Sequence, residues 1–355
     1  MKIRLLNRIF SGKEVWALRY SFFRFLPRLF SFSVSLNLIK VYISRILRLK
    51  HLWGTPYLIM VEPTSRCNLS CPMCGRTFPG LNREERDLSL AEFGNIFNQV
   101  KSRLLAVGLW NLGEPLLNES LFDMVRMVSR EKIFSIVLSN GTLLDKKKAD
   151  AAVDSGLDYL GISMDGASAS TYNKYRSGAD FKQLVANIEY LSEEKKRRGS
   201  LTPFIEIIFL VMKDNEREIN DMIKLSKRLG ANKLSLKKIS LSGTDNFIRT
   251  SEILPANPRF IHAIHADSRD RLKKYCIAPW FQVTINADGN VIPCCGGYRA
   301  DIMGNVFAED FSLIWNGPKF KDFRGKLRKD IDAVESCRRC AERSYDPEVF
   351  INPDL

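Results

Sequence analysis

Apolar and polar positions follow two different periods along this chain. Apolar runs rich in Val, Ile, Leu and Phe recur six times, and stretches with apolar residues at helical spacing separate them. The short runs predict strands and the intervening stretches predict helices. This alternation indicates β/α units arranged on a parallel sheet. The six runs span residues 57–61, 105–110, 133–138, 159–163, 204–212 and 233–239.

Start signals in front of several predicted helices support this division. A capping box places Ser, Thr, Asp or Asn at the N-cap and Glu three residues later, and a lone Asp is also a favoured N-cap. Both signals occur between the apolar runs. They are Ser89 with Glu92, Asn215 with Glu218, Asp145 and Asp180.

Six β/α units suit an incomplete barrel, so we expect an α/β fold containing a partial (β/α)6 TIM-like barrel. In barrels of this kind the functional residues gather at the C-terminal ends of the strands. The segments that follow the third and fourth runs are polar and turn-forming. Candidate chemistry is therefore expected at the strand ends.

The first 55 residues differ from the rest of the chain in charge. They contain eleven Lys and Arg against the single acid Glu14, a net charge of +10 out of +14 for the whole chain. Between residues 33 and 50 polar residues fall at helical spacing opposite apolar ones, which predicts a basic amphipathic N-terminal arm. Such a helix is typical of segments that lie on an anionic membrane surface. The polar set is Ser33, Asn37, Lys40, Ser44 and Arg48, and the apolar set is Leu38, Tyr42, Ile46 and Leu49.

Two other roles remain open for this arm, namely packing on its own barrel and packing on a partner. Its longest uncharged stretch, 29–39, is too short to span a bilayer, and no small-residue cleavage site follows it. We therefore expect a cytoplasmic protein, with peripheral association at the inner face of the membrane through residues 1–50. Nucleic acid is not expected as a partner, because no recognition motif accompanies the charge.

Three cysteines stand close together after the first apolar run: Cys67, Cys71 and Cys74. Three thiolates on one tight loop can hold an iron–sulfur cluster and leave one iron without a protein ligand, since a complete 4Fe-4S cluster takes four. A zinc site needs a fourth Cys or His nearby, and none of the three histidines stands in this segment. A disulfide framework belongs to short secreted chains, whereas eight cysteines in 355 residues are sparse. An open iron–sulfur site is thus favoured over zinc or disulfides.

The cysteine spacing, together with the motifs after the later runs, resembles the radical SAM enzymes. The resemblance implies that S-adenosylmethionine completes a 4Fe-4S cluster at the open iron. One electron from the cluster then cleaves the sulfonium to a 5′-deoxyadenosyl radical, which abstracts a substrate hydrogen. One departure is Leu112, where the common family motif has another glycine. The motifs are Gly113-Glu114-Pro115, Ser139-Asn140, Ser163 with Asp165, Arg176 and Met212.

The family also implies a role for each of these positions. The loop at Glu114 receives the amino group of the cofactor, and Arg176 pairs with its carboxylate, although an ordinary surface arginine is the alternative. The backbone at Met212 contacts the adenine. The positions expected near the ribose and methionine parts are Ser139, Asn140, Ser163 and Asp165.

A second group of cysteines lies in the C-terminal part, where the sequence resembles the SPASM extension of radical SAM proteins in its shortened, twitch-like form. Asp288-Gly289 predicts a hairpin turn between strands at 282–285 and 290–292. The resemblance implies one auxiliary 4Fe-4S cluster. Cys295 is left over, as a buried hydrophobe, a substitute for Cys294, or a redox or substrate residue. A zinc knuckle that uses Cys295 remains an alternative for this region. The expected cluster ligands are Cys276, Cys294, Cys337 and Cys340.

These features divide the chain into an arm (1–55), a radical SAM core (56–240), a bridge (241–275), a SPASM-like domain (276–345) and a tail (346–355). The resemblance implies an oxidoreductase or maturase whose electron donor is a flavodoxin or ferredoxin. The basic arm favours a carbohydrate or lipid-linked envelope precursor as the small-molecule substrate. A peptide-modifying enzyme is the first alternative, and a noncatalytic metal-cluster interaction protein is the second. The sequence identifies no catalytic base.

Overall fold

A computed structural model describes residues 27–28, 30–77, 83–239, 250–261, 276–294, 301–338, 340 and 349–351. Its strands are β1 (Leu58–Val61), β2 (Ala106–Leu109), β3 (Phe134–Ser139), β4 (Tyr159–Ser163), β5 (Phe204–Val211), β6 (Lys233–Lys238), β7 (Gln282–Ile285), β8 (Asn290–Ile292), β9 (Gly304–Asn305) and β10 (Val349–Ile351). They form a single ten-stranded sheet in the order β10-β6-β5-β4-β3-β2-β1-β7-β8-β9 within these ranges.

The α-helices of the described chain alternate with the first six strands and then continue into the C-terminal part. They are α1 (Phe32–Ile46), α2 (Leu90–Val100), α3 (Leu121–Arg130), α4 (Lys146–Asp154), α5 (Ala169–Tyr175), α6 (Phe181–Arg197), α7 (Ile219–Arg228), α8 (Thr250–Ile253), α9 (Phe311–Trp315), α10 (Pro318–Lys329) and α11 (Glu335–Arg338).

Strands β1 to β6 correspond to the six predicted runs and pair in parallel in sequence order. This confirms the α/β class and the partial barrel. Helices lie between consecutive parallel strands, as β/α units require. All six strands therefore end at one edge of the sheet, called here the carboxyl end of the barrel, and begin at the opposite amino end.

Most of the predicted helix starts are confirmed. Ser89 and Glu92 form a reciprocal capping box at α2, and Asp145 and Asp180 cap α4 and α6 through their side chains. The predicted capping box at Asn215 is wrong, because its side chain makes no cap hydrogen bond and α7 begins only after a 3-10 turn. Asn215 instead bridges two strand ends near the candidate site.

The two faces of the sheet bury different sets of residues. One face packs against α2 to α7 and forms the main core, with members such as Ile59, Val107 and Phe209. The other face forms a smaller core at the amino end, where the first residues of β2 to β5 meet Val34 and Val41 of α1. Helix α1 therefore closes the amino end of the barrel.

The arm prediction is partly confirmed in the described residues. Helix α1 lies within the predicted segment, and its attachment to the barrel matches the alternative in which the arm packs on its own core. The predicted polar side is not the outer side, because Asn37 and Ser44 are buried whereas Ile39 and Ile46 are exposed. Asn37 turns inward because it exchanges hydrogen bonds of 3.0 and 2.9 Å with the backbone of Thr55.

The C-terminal part extends the same sheet. Strand β7 pairs in parallel with β1, and the predicted hairpin with β8 is confirmed around Asp288 and Gly289. Gly289 has φ +80°, which a glycine adopts readily. On the opposite edge β10 runs antiparallel to β6. No helix in the described ranges has both the length and the hydropathy needed to cross a bilayer.

Candidate active site

The loop after β1 brings the first three cysteines together at the carboxyl end of the barrel. The Cys74 amide donates to the Cys71 carbonyl at 3.1 Å, and the Thr77 hydroxyl donates to the same carbonyl at 3.1 Å and to that of Cys74 at 2.8 Å. These bonds fold the loop into tight turns. Each of the three thiols, including that of Cys67, lies within electrostatic range of the other two.

Burial raises the pKa of the Cys67 and Cys71 thiols above the ordinary value. At Cys71 the guanidinium of Arg176 opposes this effect. A bound metal centre would remove the cost of ionising these buried thiols, because its positive charge deprotonates the thiols that coordinate it. Three thiols on one loop, within electrostatic range of one another, therefore suit the ligation of an iron–sulfur cluster.

The motif after β2 places a buried carboxylate beside the turn after β3. Glu114 accepts hydrogen bonds from the Ser139 hydroxyl at 2.6 Å, the Asn140 amide at 2.8 Å and the Leu116 amide at 3.1 Å. Burial raises the pKa of Glu114, although these donors favour its charged form. The structure thus brings Glu114, Ser139 and Asn140 into one network, and Pro115 begins the buried 3-10 turn that follows.

Position 113 requires a glycine because the backbone of Thr64 approaches it closely. A Cβ at this position would lie 1.9 Å from the carbonyl oxygen of Thr64, a separation that no side chain tolerates. The Glu114 amide donates to the Arg66 carbonyl at 2.8 Å. The loop after β2 therefore lies directly against the start of the cysteine loop.

Asn68, which the sequence analysis did not single out, ties the cysteine loop to the turn after β3. Its side-chain oxygen accepts from the Asn140 side chain at 3.0 Å, and its side-chain nitrogen donates to the Thr142 hydroxyl at 2.9 Å. The neighbouring Ser70 amide donates to the Ser177 carbonyl at 3.1 Å. The loop of three cysteines is thus held by the segments after β2, β3 and β4. The position of Asn68 directly after the first cysteine was the only sequence signal for its role in holding the loop.

Asp165 and Arg176 form a buried ion pair after β4. The Arg176 guanidinium contacts Asp165 Oδ2 at 2.7 and 2.6 Å, and Asp165 Oδ1 accepts from the Leu210 amide at 2.9 Å. Burial lowers the pKa of Arg176, but the Asp165 carboxylate outweighs this and raises it overall. The surface-arginine alternative is therefore wrong. The observed partner of Arg176 is Asp165.

Met212 follows β5 and is completely buried. Its amide donates to the side chain of Asn215 at 2.6 Å, and Asn215 donates to the carbonyl oxygens of Asp165 at 3.0 Å and Leu210 at 2.8 Å. The predicted adenine-contacting backbone is thus held rigidly against Asp165. Ser163 ends β4 and is half-buried.

Tyr172 provides an observation that points to a ligand. Its hydroxyl is buried and has no hydrogen-bond partner in the described structure. The ring lies within electrostatic range of Cys71, Glu114, Asp165 and Arg176, and burial raises the pKa of the phenol. A buried polar atom without a partner is costly, so its position at the predicted cofactor site fits a group that completes the network.

Glu62 was missed by the sequence analysis, although an acid directly after a buried strand is a visible signal. It is fully buried, forms a bidentate ion pair with Arg83, and accepts from the amides of Leu112 and Ala287, each at 3.1 Å. Glu62 therefore connects the ends of β1, β2 and β7. This joins the cysteine loop to the hairpin of the C-terminal part.

The face of the sheet opposite the main core carries a second buried carboxylate that the sequence analysis missed. Glu206 on β5 is paired with Lys233 at 2.9 Å and accepts hydrogen bonds from Tyr159 and Ser235. Burial by itself raises the pKa of Glu206, but Lys233 reverses this and holds it below the ordinary value. All four side chains have partners, so the group is an internal ion-pair network.

A cavity of about 380 Å³ opens beside the cysteine loop. Lys174, Lys213, Asp214 and Glu252 supply both signs of charge along its wall, and Lys174 is ion-paired with Asp214 at 2.6 Å. This volume is near the lower limit for small-molecule sites, and the cavity offers both apolar and charged contacts. Its lining residues are Pro72, Met73, Lys174, Tyr175, Lys213, Asp214, Glu252 and Ile253.

The structure describes all four cysteines predicted to hold the auxiliary cluster, and each is partly buried. Cys276 and Cys337 pack against the main core. The Cys294 carbonyl accepts from Thr284 at 3.1 Å, and the Cys340 amide donates to the Cys337 carbonyl at 3.3 Å. No three His, Cys, Asp or Glu side chains in the described ranges are spaced to ligate one metal ion. Cys295 lies outside these ranges.

Comparison with known proteins gives matches to both parts of the chain. A profile of the radical SAM superfamily matches residues 61–226, and a profile of an iron-sulfur cluster-binding domain, SPASM, matches residues 276–341. PqqA peptide cyclase of Gluconobacter oxydans is 26% identical over 319 residues, covering 82% of this chain and 84% of its own. AdoMet-dependent heme synthase of Methanosarcina barkeri is 26% identical over 337 residues, covering 82% and 93%.

The fold also resembles solved structures. Streptococcus suis SuiB bound to precursor peptide SuiA superposes with a TM-score of 0.60 at 17% identity, covering 87% of this chain and 76% of that chain. At this level of identity the likeness concerns the fold. It supports the α/β fold class.

Proposed function

Because the chain belongs to the radical SAM superfamily and carries a SPASM iron–sulfur domain, we propose that it is a peptide-modifying enzyme. As a member, it is an iron–sulfur enzyme that uses a 4Fe-4S cluster, S-adenosylmethionine and auxiliary iron–sulfur chemistry. The noncatalytic interpretation of the cysteines is therefore wrong. The peptide substrate is the part that goes beyond the family.

The similarity to PqqA peptide cyclase carries the choice of substrate, because it extends over 82% of this chain and 84% of the relative. The preference for a carbohydrate or lipid-linked substrate over a peptide rested on the basic arm. Helix α1 of that arm closes the amino end of the barrel, whereas the cysteine loop lies at the carboxyl end. The arm therefore gives no direct reason to expect a lipid-linked group at the site.

The two groups of cysteines fit the proposed cofactors. Cys67, Cys71 and Cys74 would hold the cluster that binds S-adenosylmethionine, and Cys276, Cys294, Cys337 and Cys340 would hold the auxiliary cluster. When bound, these groups supply one-electron chemistry that yields a 5′-deoxyadenosyl radical, removes a substrate hydrogen atom and accepts a second electron at the auxiliary cluster.

The protein's own residues position the reacting groups and exclude water. Glu114, held by Ser139 and Asn140, presents a buried carboxylate toward an amino group, and Tyr172 offers an unpaired hydroxyl. Because Asp165 holds Arg176 near Cys71, the guanidinium supports an anionic centre there without free movement. Such preorganisation favours one geometry between the reactive carbon and the chosen C–H bond.

The domain boundaries and an electron donor accompany the proposed function. The matches at 61–226 and 276–341 support a core at 56–240 and a cluster domain at 276–345, with a bridge at 241–275 between them. A flavodoxin or ferredoxin would supply the reducing electron. We name no catalytic base.

The test uses the full chain, purified and reconstituted without oxygen and given S-adenosylmethionine and a strong reductant. We expect about eight irons per chain, the sum of two four-iron clusters, and formation of 5′-deoxyadenosine. Cys71→Ser should abolish nucleoside formation. Cys295→Ser, which changes the one cysteine assigned to neither cluster, is the matched control and should retain it.

The substrate class is tested with deuterated probes under the same conditions. Pooled short peptides made with deuterated amino acids should transfer deuterium into 5′-deoxyadenosine, and the modified peptide should be detected by its mass change. A parallel pool of deuterated sugars and cyclitols is the control. Transfer from the sugars alone would overturn the peptide substrate and leave the radical chemistry intact.

A further inference from the structure

The outward face of α1 is an apolar stripe. Its members recur at intervals of three and four residues, which places them on one side of the helix. Phe32, Ile39 and Ile46 expose 82%, 56% and 58% of their surface. The opposite side, with Val34, Asn37, Val41 and Ser44, is the buried one. The stripe consists of Phe32, Leu36, Ile39, Ile43 and Ile46.

The stripe lies within a larger concentration of exposed apolar residues. Nine of the fourteen exposed large hydrophobic side chains of the described residues fall between residues 30 and 53. Scattered single residues of this type are normal on protein surfaces, whereas a contiguous group marks an interaction site. The four that accompany the stripe are Phe30, Tyr42, Leu47 and Trp53. The five side chains of the stripe are called the α1 face below.

The orientation of α1 is fixed by polar contacts on its inner side. Asn37 bonds with the backbone of Thr55, and the Trp53 amide donates to the Ser44 hydroxyl at 3.2 Å. Before the helix, Arg28 donates to the carbonyls of Lys101 and Leu104 in the loop that leads into β2. These bonds oppose rotation of the helix about its axis, so the α1 face stays directed outward.

Positive charge surrounds this face. Residues 27–55 contain five Lys and Arg and no acid, and Lys40, Arg48 and Lys50 are exposed. Arg103 and Lys132, in the loops that lead into β2 and β3, are exposed at the same end of the barrel. The adjacent Glu131 is ion-paired with Lys101 at 2.9 Å. Exposed apolar side chains beside a surplus of exposed cations match the chemistry of an anionic lipid surface.

We propose that the α1 face docks the enzyme on an anionic membrane surface, with its apolar side chains among the acyl chains and its cations at the lipid headgroups. The helix lies flat on the bilayer, because the polar groups on its inner side are already bonded to the barrel. Docking at the amino end directs the carboxyl end and its cysteine loop toward the aqueous phase. The enzyme would thus meet a water-soluble substrate while held at the membrane.

The test is co-sedimentation of the reconstituted full chain with vesicles of phosphatidylglycerol and phosphatidylcholine. We expect binding to these vesicles, little binding to phosphatidylcholine alone, and weakening by salt. Ile39→Glu with Ile46→Glu should lower the partition coefficient at least about tenfold, because two apolar side chains that the bilayer would bury are lost. Lys40→Gln should lower it about fivefold, the effect of one cation near the surface.

Two matched controls separate the α1 face from general effects of the substitutions. Leu313→Glu changes an exposed leucine of α9, outside the α1 face, and Lys147→Gln removes an exposed charge on α4. Both should leave vesicle binding unchanged. Formation of 5′-deoxyadenosine should also be unchanged in every variant, since none of the positions belongs to the proposed site.

Other results would overturn the proposal. If the paired glutamate variant lowers the melting temperature without vesicles, the face is covered by another part of the chain. If it converts a dimer to a monomer in sedimentation velocity, the occupant is a second copy. Equal binding of wild type and variant to the anionic vesicles would place the contact elsewhere on the protein.

Discussion

At the carboxyl end of the barrel the buried carboxylates Glu62, Glu114 and Asp165 each accept hydrogen bonds from a different segment of the chain. At the amino end, α1 covers the same strands with a few polar anchors and turns apolar side chains to solvent. The carboxyl end is stabilised by internal hydrogen bonds, which hold a site in one geometry. The amino end leaves apolar side chains of α1 exposed to solvent, which suits contact with another surface.

The largest effect is expected where the carboxyl end is joined to the C-terminal part. Glu62→Ala leaves the mostly buried Arg83 without its partner and removes the acceptor for two amides. We expect a loss of about 3–5 kcal/mol in the free energy of unfolding, the usual result of breaking a buried ion pair. Chemical denaturation of the full chain measures it.

Asp123→Ala on α3 is the matched control for Glu62. It breaks an ion pair with Arg126 whose two side chains are 52% and 38% exposed, and such pairs contribute at most about 1 kcal/mol. Equal effects of the two substitutions would mean that Glu62 has no special role. Arg83→Met, added to Glu62→Ala, should recover part of the loss because it removes the unpaired charge.

A pH-dependent effect of similar size is expected at Lys195, near the C-terminal end of α6. Burial lowers the pKa of Lys195 from 10.5 to about 8. Between these values the unfolded chain holds the proton that the folded chain has lost, so stability rises with pH. The gain is about 3 kcal/mol at most, and Lys195→Met should remove it.

Thermal unfolding of the reconstituted chain between pH 7.5 and pH 9 follows the first part of this gain. The informative quantity is the difference between wild type and Lys195→Met, because other groups titrate in both proteins. Lys196→Met, at the exposed neighbouring position, should keep the wild-type slope. Parallel pH profiles for wild type and Lys195→Met would show that burial of Lys195 has no such cost.

A smaller effect is expected inside the site network. Ser139→Ala removes the hydroxyl that donates to Glu114 at 2.6 Å and accepts from Gly141 at 2.8 Å. A bond to a charged group contributes about 1.5–3 kcal/mol, and its loss should also raise the KM for S-adenosylmethionine. Ser120→Ala is the control, because Ser120 makes no side-chain cap bond at α3. An unchanged KM would mean that the Glu114 network does not contribute to binding of S-adenosylmethionine.

The sequence was a good guide where one local period decided the outcome. The six apolar runs predicted β1 to β6, and Asp288-Gly289 predicted the β7–β8 hairpin, because strand periodicity and turn residues act within a few positions. The motifs that the family resemblance picked out then lie together because parallel strands end at one edge. Glu114 and Ser139 are brought together in this way although 25 residues separate them.

The sequence failed where partners lie far apart in the chain. Glu62 depends on residues 83, 112 and 287, and no local pattern connects these positions. Asn215 had the spacing of a helix cap, but its side-chain oxygen accepts from the Met212 amide, and its side-chain nitrogen donates to the carbonyls of Asp165 and Leu210. Helix α1 shows the same limit, since its burial is decided by Thr55 and the strand starts rather than by its own hydrophobic side.

The smallest predicted effect concerns the outer side of α1 at the amino end. Ile39→Ala shortens an exposed side chain, so the free energy of unfolding should change by no more than about 0.5 kcal/mol. Val41→Ala, two residues away on the buried side, should cost about 2 kcal/mol because it leaves a cavity against the strand starts. Denaturation of both variants without vesicles measures these values. Comparable losses would mean that Ile39 is also packed, and the contrast between the inner and outer sides of α1 would then disappear.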